Sequence, residues 1–267
     1  RDGGYALGAV VAALGLADDL TTVNTRAKFA AYAALSLLLA WFAGPVVRLA
    51  ITLDLAIALP VWLGLVGSAL FVFVSANAAN FMDGSDGMLA AVMIPASLAL
   101  CVAGLVAGAL DASLIGAALA AGLAGFALFN LPPARVFAGD VGSLTAGAAY
   151  AGGALAMAGL GFSGSLWLAP LFILVFLADV LLTLLRRVRH GRFSLSAHRE
   201  HVYQRLIAAG WRPGVVALIY GGLTGLIAVS GLAAAQGPDG AVFAVFLAWI
   251  GVLTGLHALA GRAAPGF

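Results

Sequence analysis

Long apolar runs recur along the whole chain, each broken by a short stretch rich in Gly, Pro, Asn, Asp or Arg. A run of about 20 apolar residues is long enough to cross bilayer hydrocarbon as a helix. The runs fall near 3–16, 27–44, 60–78, 89–107, 113–130, 144–160, 166–185, 214–235 and 241–260, which predicts nine spans. The fold class that follows is all-α, a polytopic transmembrane helical bundle forming one domain over 1–267. The first run is short, roughly 21 Å at the helical rise of ~1.5 Å per residue. The chain opens on Arg1 rather than Met, so this run reads as the continuation of a longer N-terminal part. Glycines such as those between Gly116 and Gly125 predict close helix packing in a bilayer.

Composition agrees with the spans. Of the 267 residues 63% are hydrophobic and 9% charged, whereas soluble domains run near 25% charged. The net charge of +2 decides little; where the charges sit decides more. The single cysteine, Cys101, lies in an apolar run and reads as a small core residue, leaving no intramolecular disulfide and no cysteine-built metal site.

Alternating the spans across a membrane puts loops 17–26, 79–88, 131–143 and 186–213, with the C-terminus, on one side. Eleven of the thirteen basic residues then share that side, and only Arg1 and Arg48 fall opposite. By the positive-inside rule it is the cytoplasmic side. The same alternation gathers Asp18, Asp19, Asp83, Asp86, Asp140, His198 and His201 there. Asp54, Asp111 and Asp239 stand singly in the outer loops and read as solvated. Asp179 lies in the body of the seventh run, where an acid is either functional or paired with a basic neighbour.

Four segments carry candidate chemistry. Asp18-Asp19 closes the first run with adjacent carboxylates; they point about 100° apart on a helix, and a plain aqueous helix end explains them as well. Asn77, Asn80, Asp83 and Asp86 recur every three residues before Gly84 and Gly87 break the run. That spacing lets amides and carboxylates converge on one polar ligand, whereas a calcium loop would need an acid where Ile94 stands. In the stretch from Phe129-Asn130 through Pro132-Pro133, Arg135 and Phe137 to Asp140, prolines stop the helix. Gly139 and Gly142 then let backbone amides approach a phosphate at the next helix N-terminus, and Asp140 beside it suits a hard cation. A capped loop is the plainer alternative. His198, Arg199, His201 and Arg205 fall in the longest inner loop. No HExxH pattern or third zinc ligand accompanies the histidines, so they read with the arginines as a pyrophosphate clamp.

Several classes drop out. Gly159 to Gly164 spells GxGxxG at the outer end of a span with no strand before it, so no dinucleotide site follows. No Walker A pattern and no basic, aromatic-interleaved surface for nucleic acid is present. A membrane transporter stays as the alternative from another class, though it would put its charges at mid-membrane on broken helices and here they lie at span ends. A CDP-alcohol phosphotransferase would carry Ala-Arg after its first Asp-Gly, which Asp83-Gly84-Ser85-Asp86 lacks.

In order along the chain, GLADD, NxxNFMDGSDG, FNxPPARVFAGDVGS and HREHVYQRL resemble the motifs of the polyprenyl-phosphate N-acetylhexosamine-1-phosphate transferases of glycosyltransferase family 4. Phospho-N-acetylmuramoyl-pentapeptide transferase is a member of that family. The resemblance implies transfer of a sugar-1-phosphate from a UDP-N-acetylhexosamine to undecaprenyl phosphate, with release of UMP, at the cytoplasmic face of the inner membrane. It implies Mg²⁺, with Mn²⁺ able to stand in, held by Asp140. It further implies that Asp18 and Asp19 border the catalytic centre, one as a proposed base, and that Asp83 and Asp86 line the nucleotide and metal site. Asn77, Asn80 and Arg135 join the substrate-binding set; Asn130 and Phe137 match positions near the uracil; His198 and His201, with Arg199 and Arg205, engage the pyrophosphate or sugar. A full member has about eleven spans, so two would precede this chain. A homodimer is compatible with the family, and the lipid bilayer is its setting. The histidine motif is HxxH followed by Tyr-Gln rather than three histidines, which resembles the branch that initiates O-antigen and other surface polysaccharides. The muramoyl-pentapeptide reaction is the alternative within the family.

Overall fold

A computed structural model describes residues 15, 24–160, 164–191 and 200–263. Its elements are helices α1 (Thr25–Ala43), α2 (Val61–Met82), α3 (Met88–Ala107), α4 (Leu110–Asn130), α5 (Gly139–Ala158), α6 (Ser165–Leu171), α7 (Leu174–Arg189), α8 (Val202–Ala208), α9 (Pro213–Ala234) and α10 (Ala241–Ala263), with strands β1 (Arg48–Ala50) and β2 (Ala56–Ala58) between α1 and α2. Seven of these helices are long and apolar enough to span a membrane, and the α6–α7 pair makes an eighth if it counts as one span. The all-α polytopic expectation therefore holds for the described residues.

Where the helices begin and end follows local chemistry. The Asn24 side chain accepts from Arg26 N at 2.9 Å and caps α1. Pro213 opens α9, where its missing N–H costs nothing. Gly87, at φ +76°, turns the chain from α2 into α3 over a five-residue loop, Asp83–Gly87, a conformation that other residues strain to adopt.

Two details depart from the sequence reading. The run expected as one span over 166–185 is two helices meeting at 69°, with Pro170 just before the break and one N–H fewer to carry the helix on. The outer loop after α1 also folds into a small antiparallel hairpin, with Leu49 opposite Ile57. Trp167 Nε1 donates to Ala50 O at 2.6 Å, and Asp239 accepts from Leu53 N at 2.6 Å, so this expected solvated acid ties two outer loops.

α5 is the most enclosed of the spanning helices and α10 the least. α5 packs on α2, and α3 packs on α4 and α9. The α2–α5 contact is close because Gly147 has no side chain: a Cβ there would lie 2.6 Å from Ser75 O and 2.7 Å from Ala76 Cα. Of the glycines expected to pack helices, Gly116 does so against Ser97 and Cys101, while Gly122 and Gly125 face outward with nothing near. Cys101 itself is half-buried and free. Large side chains such as Trp62, Val106, Leu128 and Leu218 project from the bundle, as lipid-facing positions must, while the helical backbone satisfies its own polar groups.

Candidate active site

All the described polar motifs meet at one end of the bundle. Asp140 lies in the first turn of α5, where the helix dipole favours an anion. From α2, Asn80 Nδ2 donates to Asp140 Oδ1 at 2.6 Å and to Ser143 Oγ at 2.9 Å. From α1, the Lys28 ammonium forms an ion pair with Asp140 Oδ2. Asp83 follows directly as the residue that ends α2. Burial, and then the nearby charge of Asp140, push its carboxyl from 3.8 up to about 7. An acid whose ionisation is opposed by burial and by a neighbouring carboxylate is one that a hard cation relieves.

The two loops beside this pair are laced together. Asn130 Oδ1 accepts from Gly87 N at 3.0 Å, and its Nδ2 donates to Val136 O at 3.0 Å. Asp86 Oδ2 accepts from Ala134 N at 3.0 Å. Beyond the brace, the Arg135 side chain is exposed and the Phe137 ring is 71% exposed. A free aromatic face beside a polar pocket can stack on a planar base.

The 200–208 segment closes another side. Tyr203 Oη donates to Phe81 O at 3.0 Å, and this hydroxyl fits where Gly84 carries no Cβ. The His201 ring stacks between Phe81 and Tyr203, with centroids 6.2 Å from each. Arg186 and Arg187 face Glu200 at 3.5 and 3.9 Å.

The expected site residues thus divide. Asn80, Asp83 and Asp140 converge; Asp86 and Asn130 stand next to them; His201 approaches through Phe81. Asn77, Asn130 and Arg205 use polar atoms within the protein. Asn77 Nδ2 turns back to Phe73 O of its own helix at 2.8 Å. Asn130 is buried, and both ends of its amide are taken up by the brace. Arg205 is buried and donates from one guanidinium nitrogen to Gly261 O at 2.9 Å, fastening α10. Asp18, Asp19, His198 and Arg199 lie outside the described residues. Gly15, three residues before Asp18, packs its Cα against the backbone of Val141, next to Asp140. Lys28 is the residue that sequence reasoning passed over, because it read as ordinary positive-inside charge.

As a cation site the arrangement is open rather than caged. Among the described residues no group of three or more His, Cys, Asp or Glu side chains could hold a metal. Mg²⁺ needs no such cage, since it commonly binds through one or two carboxylates plus substrate phosphate and water. Asp140 and Asp83 fit that demand, with Asn80 orienting Asp140.

Comparison with known proteins gives the family. Residues 3–158 match the sequence profile of glycosyl transferase family 4. Over 204 residues the chain is 31% identical to a phospho-N-acetylmuramoyl-pentapeptide-transferase of Desulforudis audaxviator, covering 73% of this chain and 56% of that one. It is 30% identical to the decaprenyl-phosphate N-acetylglucosaminephosphotransferases of Mycobacterium leprae and Mycobacterium tuberculosis, over 80% and 83% of this chain and 59% and 60% of theirs. The chain therefore spans somewhat over half the length of these relatives. The profile covers more than half of the chain, and it includes both the Asp83 loop and the start of α5 that holds Asp140; this protein belongs to glycosyl transferase family 4.

Proposed function

We propose that the protein transfers N-acetylhexosamine-1-phosphate from a UDP-sugar to a polyprenyl phosphate, such as undecaprenyl phosphate, and releases UMP. The observation that carries this reading is the convergence of Asp83, Asn80 and Lys28 on Asp140 at an aqueous end of a membrane bundle. A diphosphate reacting beside a lipid surface needs such a place.

The chemistry is compatible with these residues. An oxygen of the lipid phosphate bonds to the phosphorus that carries the sugar, and the bond from that phosphorus to the oxygen of UMP breaks. A phosphate monoester has a second pKa near 6, so the attacking oxygen is already largely ionised at neutral pH and needs no strong base. Asp18 and Asp19 are accordingly assigned to orienting the lipid phosphate or supporting the metal. Both reactants are anionic, and their repulsion is the main burden. Asp140 and Asp83 would hold Mg²⁺, which would supply compensating charge for the diphosphate. Lys28 adds a second positive group, Phe137 offers a face for uracil, and the motif that carries His198 and His201 is assigned to the sugar or pyrophosphate.

For the donor, UDP-N-acetylglucosamine is favoured. Likeness to the mycobacterial N-acetylglucosamine enzymes runs over 83% of this chain, against 73% for the Desulforudis muramoyl enzyme. The HxxH-Tyr-Gln motif supports the same choice, and with it an initiating role in lipid-linked surface glycan synthesis at the cytoplasmic face of the inner membrane. The second reading, a muramoyl-pentapeptide donor, rests on the 31% identity to that enzyme.

The test is UMP release by purified full-length protein with undecaprenyl phosphate and a panel of UDP-N-acetylhexosamines and UDP-N-acetylmuramoyl-pentapeptide, with and without Mg²⁺. Release that needs lipid and metal together is expected, fastest with UDP-N-acetylglucosamine. No release and no UDP-sugar binding across the panel would end the enzyme reading.

A further inference from the structure

Asp179 is the one acid in the body of a described spanning helix that is completely enclosed, 4% exposed on α7. Isolated carboxylates are rarely kept in such a place, so its partners indicate its purpose. Oδ1 accepts from Val202 N at 2.9 Å and from Thr183 Oγ1 at 3.2 Å. Oδ2 accepts from Tyr220 Oη at 2.6 Å and, at a longer 3.4 Å, from Tyr203 N. His201 Nδ1 stands 3.4 Å from Oδ1. Thr183 Oγ1 also meets His257 Nε2 of α10 at 3.3 Å. One carboxylate therefore joins α7 and α9, with α10 reached through Thr183, to the first amides of α8.

The direction of these bonds matters. Val202 and Tyr203 are the first residues of α8, whose amides have no partner within the helix. A seven-residue helix is too short to hold its own place, so an external acceptor fixes where it starts. Fixing that start fixes Tyr203 Oη on Phe81 O, two residues before Asp83, and holds the His201 ring against Phe81.

We propose that Asp179 is a positioning residue: from within the membrane bundle it docks the 200–208 segment onto the Asp83–Gly87 loop and so sets His201 beside the reaction site. This rests on the transferase reading for its catalytic consequence, though not for the docking itself. Asp179 touches no substrate. Its removal should leave nucleotide binding intact and slow turnover.

The experiment uses the full-length protein in detergent with Asp179→Asn and, as a gentler probe, Tyr220→Phe. UMP binding stoichiometry gives the folded fraction, and UMP release is expressed per binding site. Hydrogen exchange of the peptide covering 200–208 reports the docking directly. Expected for Asp179→Asn are a kcat per site lowered at least tenfold, a UDP-sugar KM changed less than threefold, and exchange at Val202 and Tyr203 faster than in wild type. Tyr220→Phe should change both readouts in the same sense and by less. Loss of release only in proportion to lost binding sites, or unchanged exchange over 200–208 in Asp179→Asn, would overturn the proposal. If the wild type releases no UMP from any donor, the transferase reading fails alone, and the exchange result still decides the docking.

Discussion

Replacing Asp83 by Asn gives the sharpest physical test of the site, because the effect on stability has an unusual sign. In the unfolded chain the Asp83 carboxyl titrates near 3.8, and in the folded protein near 7, raised by burial and by Asp140. Between those values the folded state holds a proton that the unfolded state has lost. Stability therefore falls as pH rises through this window, opposite to the salt-bridged aspartate whose pKa is depressed. The difference is about 3.2 pH units, and at ~1.36 kcal/mol per unit the cost of ionised Asp83 above pH 7 is on the order of 4 kcal/mol, an upper bound for a group that keeps some solvent.

An asparagine imitates the protonated acid and cannot ionise. Asp83→Asn should therefore lie close to wild type only at pH 4 and below, gain on it as pH rises from there toward 7, and level off near pH 8, while losing transferase activity. Thermal unfolding in detergent with EDTA, from pH 4.5 to 8.5, measures this without a cation masking it. At about 2–4 °C per kcal/mol for a chain of this size, the gap in midpoint at pH 8 should reach several degrees. A gap that is flat across the range, or wild type gaining stability relative to the variant as pH rises, would refute the half-buried acid pair. In the absence of EDTA, adding Mg²⁺ should narrow the gap at pH 8, since the cation removes the repulsion that the asparagine avoids.

Three further outcomes are expected. Asn130→Ala leaves Gly87 N–H and Val136 C=O without their partner in a buried position, at about 1–3 kcal/mol for each orphaned group; the midpoint of unfolding should drop, and UMP affinity with it. Gly147→Ala puts a Cβ 2.6 Å from Ser75 O, backbone that has no rotamer to yield, so α2 and α5 must separate at roughly 1–3 kcal/mol, and Mn²⁺ binding read by electron paramagnetic resonance should weaken together with stability. Lys28→Met removes the ammonium that occupies Asp140 Oδ2; Mn²⁺ should then bind several-fold more tightly while UMP release falls, and unchanged metal affinity would mean that Lys28 and the cation do not compete.

Much of this fold is legible because bilayer thickness imposes a length on apolar runs, and no tertiary contact can change that length. The broken span is not: Pro95 and Pro170 look alike in sequence, yet α3 runs through Pro95 while the chain turns just beyond Pro170. Asp140 and Asp83 are legible as candidates because acids at span ends carry a cost that polar neighbours must offset. Their pairing is not, since it depends on how closely Gly147 lets α2 approach α5. Asn130 shows the opposite error. A lone amide before two prolines reads as a ligand contact, but an amide with both a donor and an acceptor can equally stitch two backbones, and only the positions of Gly87 and Val136 decide between them. Asp179 announced itself as an acid in an apolar run; that the first backbone amides of α8 and the Tyr220 hydroxyl would join His201 around it required the fold.

These two acids solve different problems with the same group. Asp179 is given hydrogen-bond donors on both oxygens and so keeps its place as a joint, with nothing left over for a ligand. Asp83 is given burial and a like charge, and is left favouring a proton near neutral pH. A buried carboxylate that is fully supplied with donors stabilises an arrangement, whereas one that is supplied with repulsion stabilises whatever positive partner arrives. Lys28 sits on Asp140 as one such partner, and a hard cation carrying a diphosphate would be another. The affinity of the site for its substrate therefore depends on how little the resting protein has done to satisfy Asp83. That is why substitutions at Asp83 and Asp179, both aspartate to asparagine, should move stability and turnover in different combinations: Asp83→Asn gaining stability at high pH as it loses chemistry, and Asp179→Asn gaining none while it loses only the placement on which the chemistry depends.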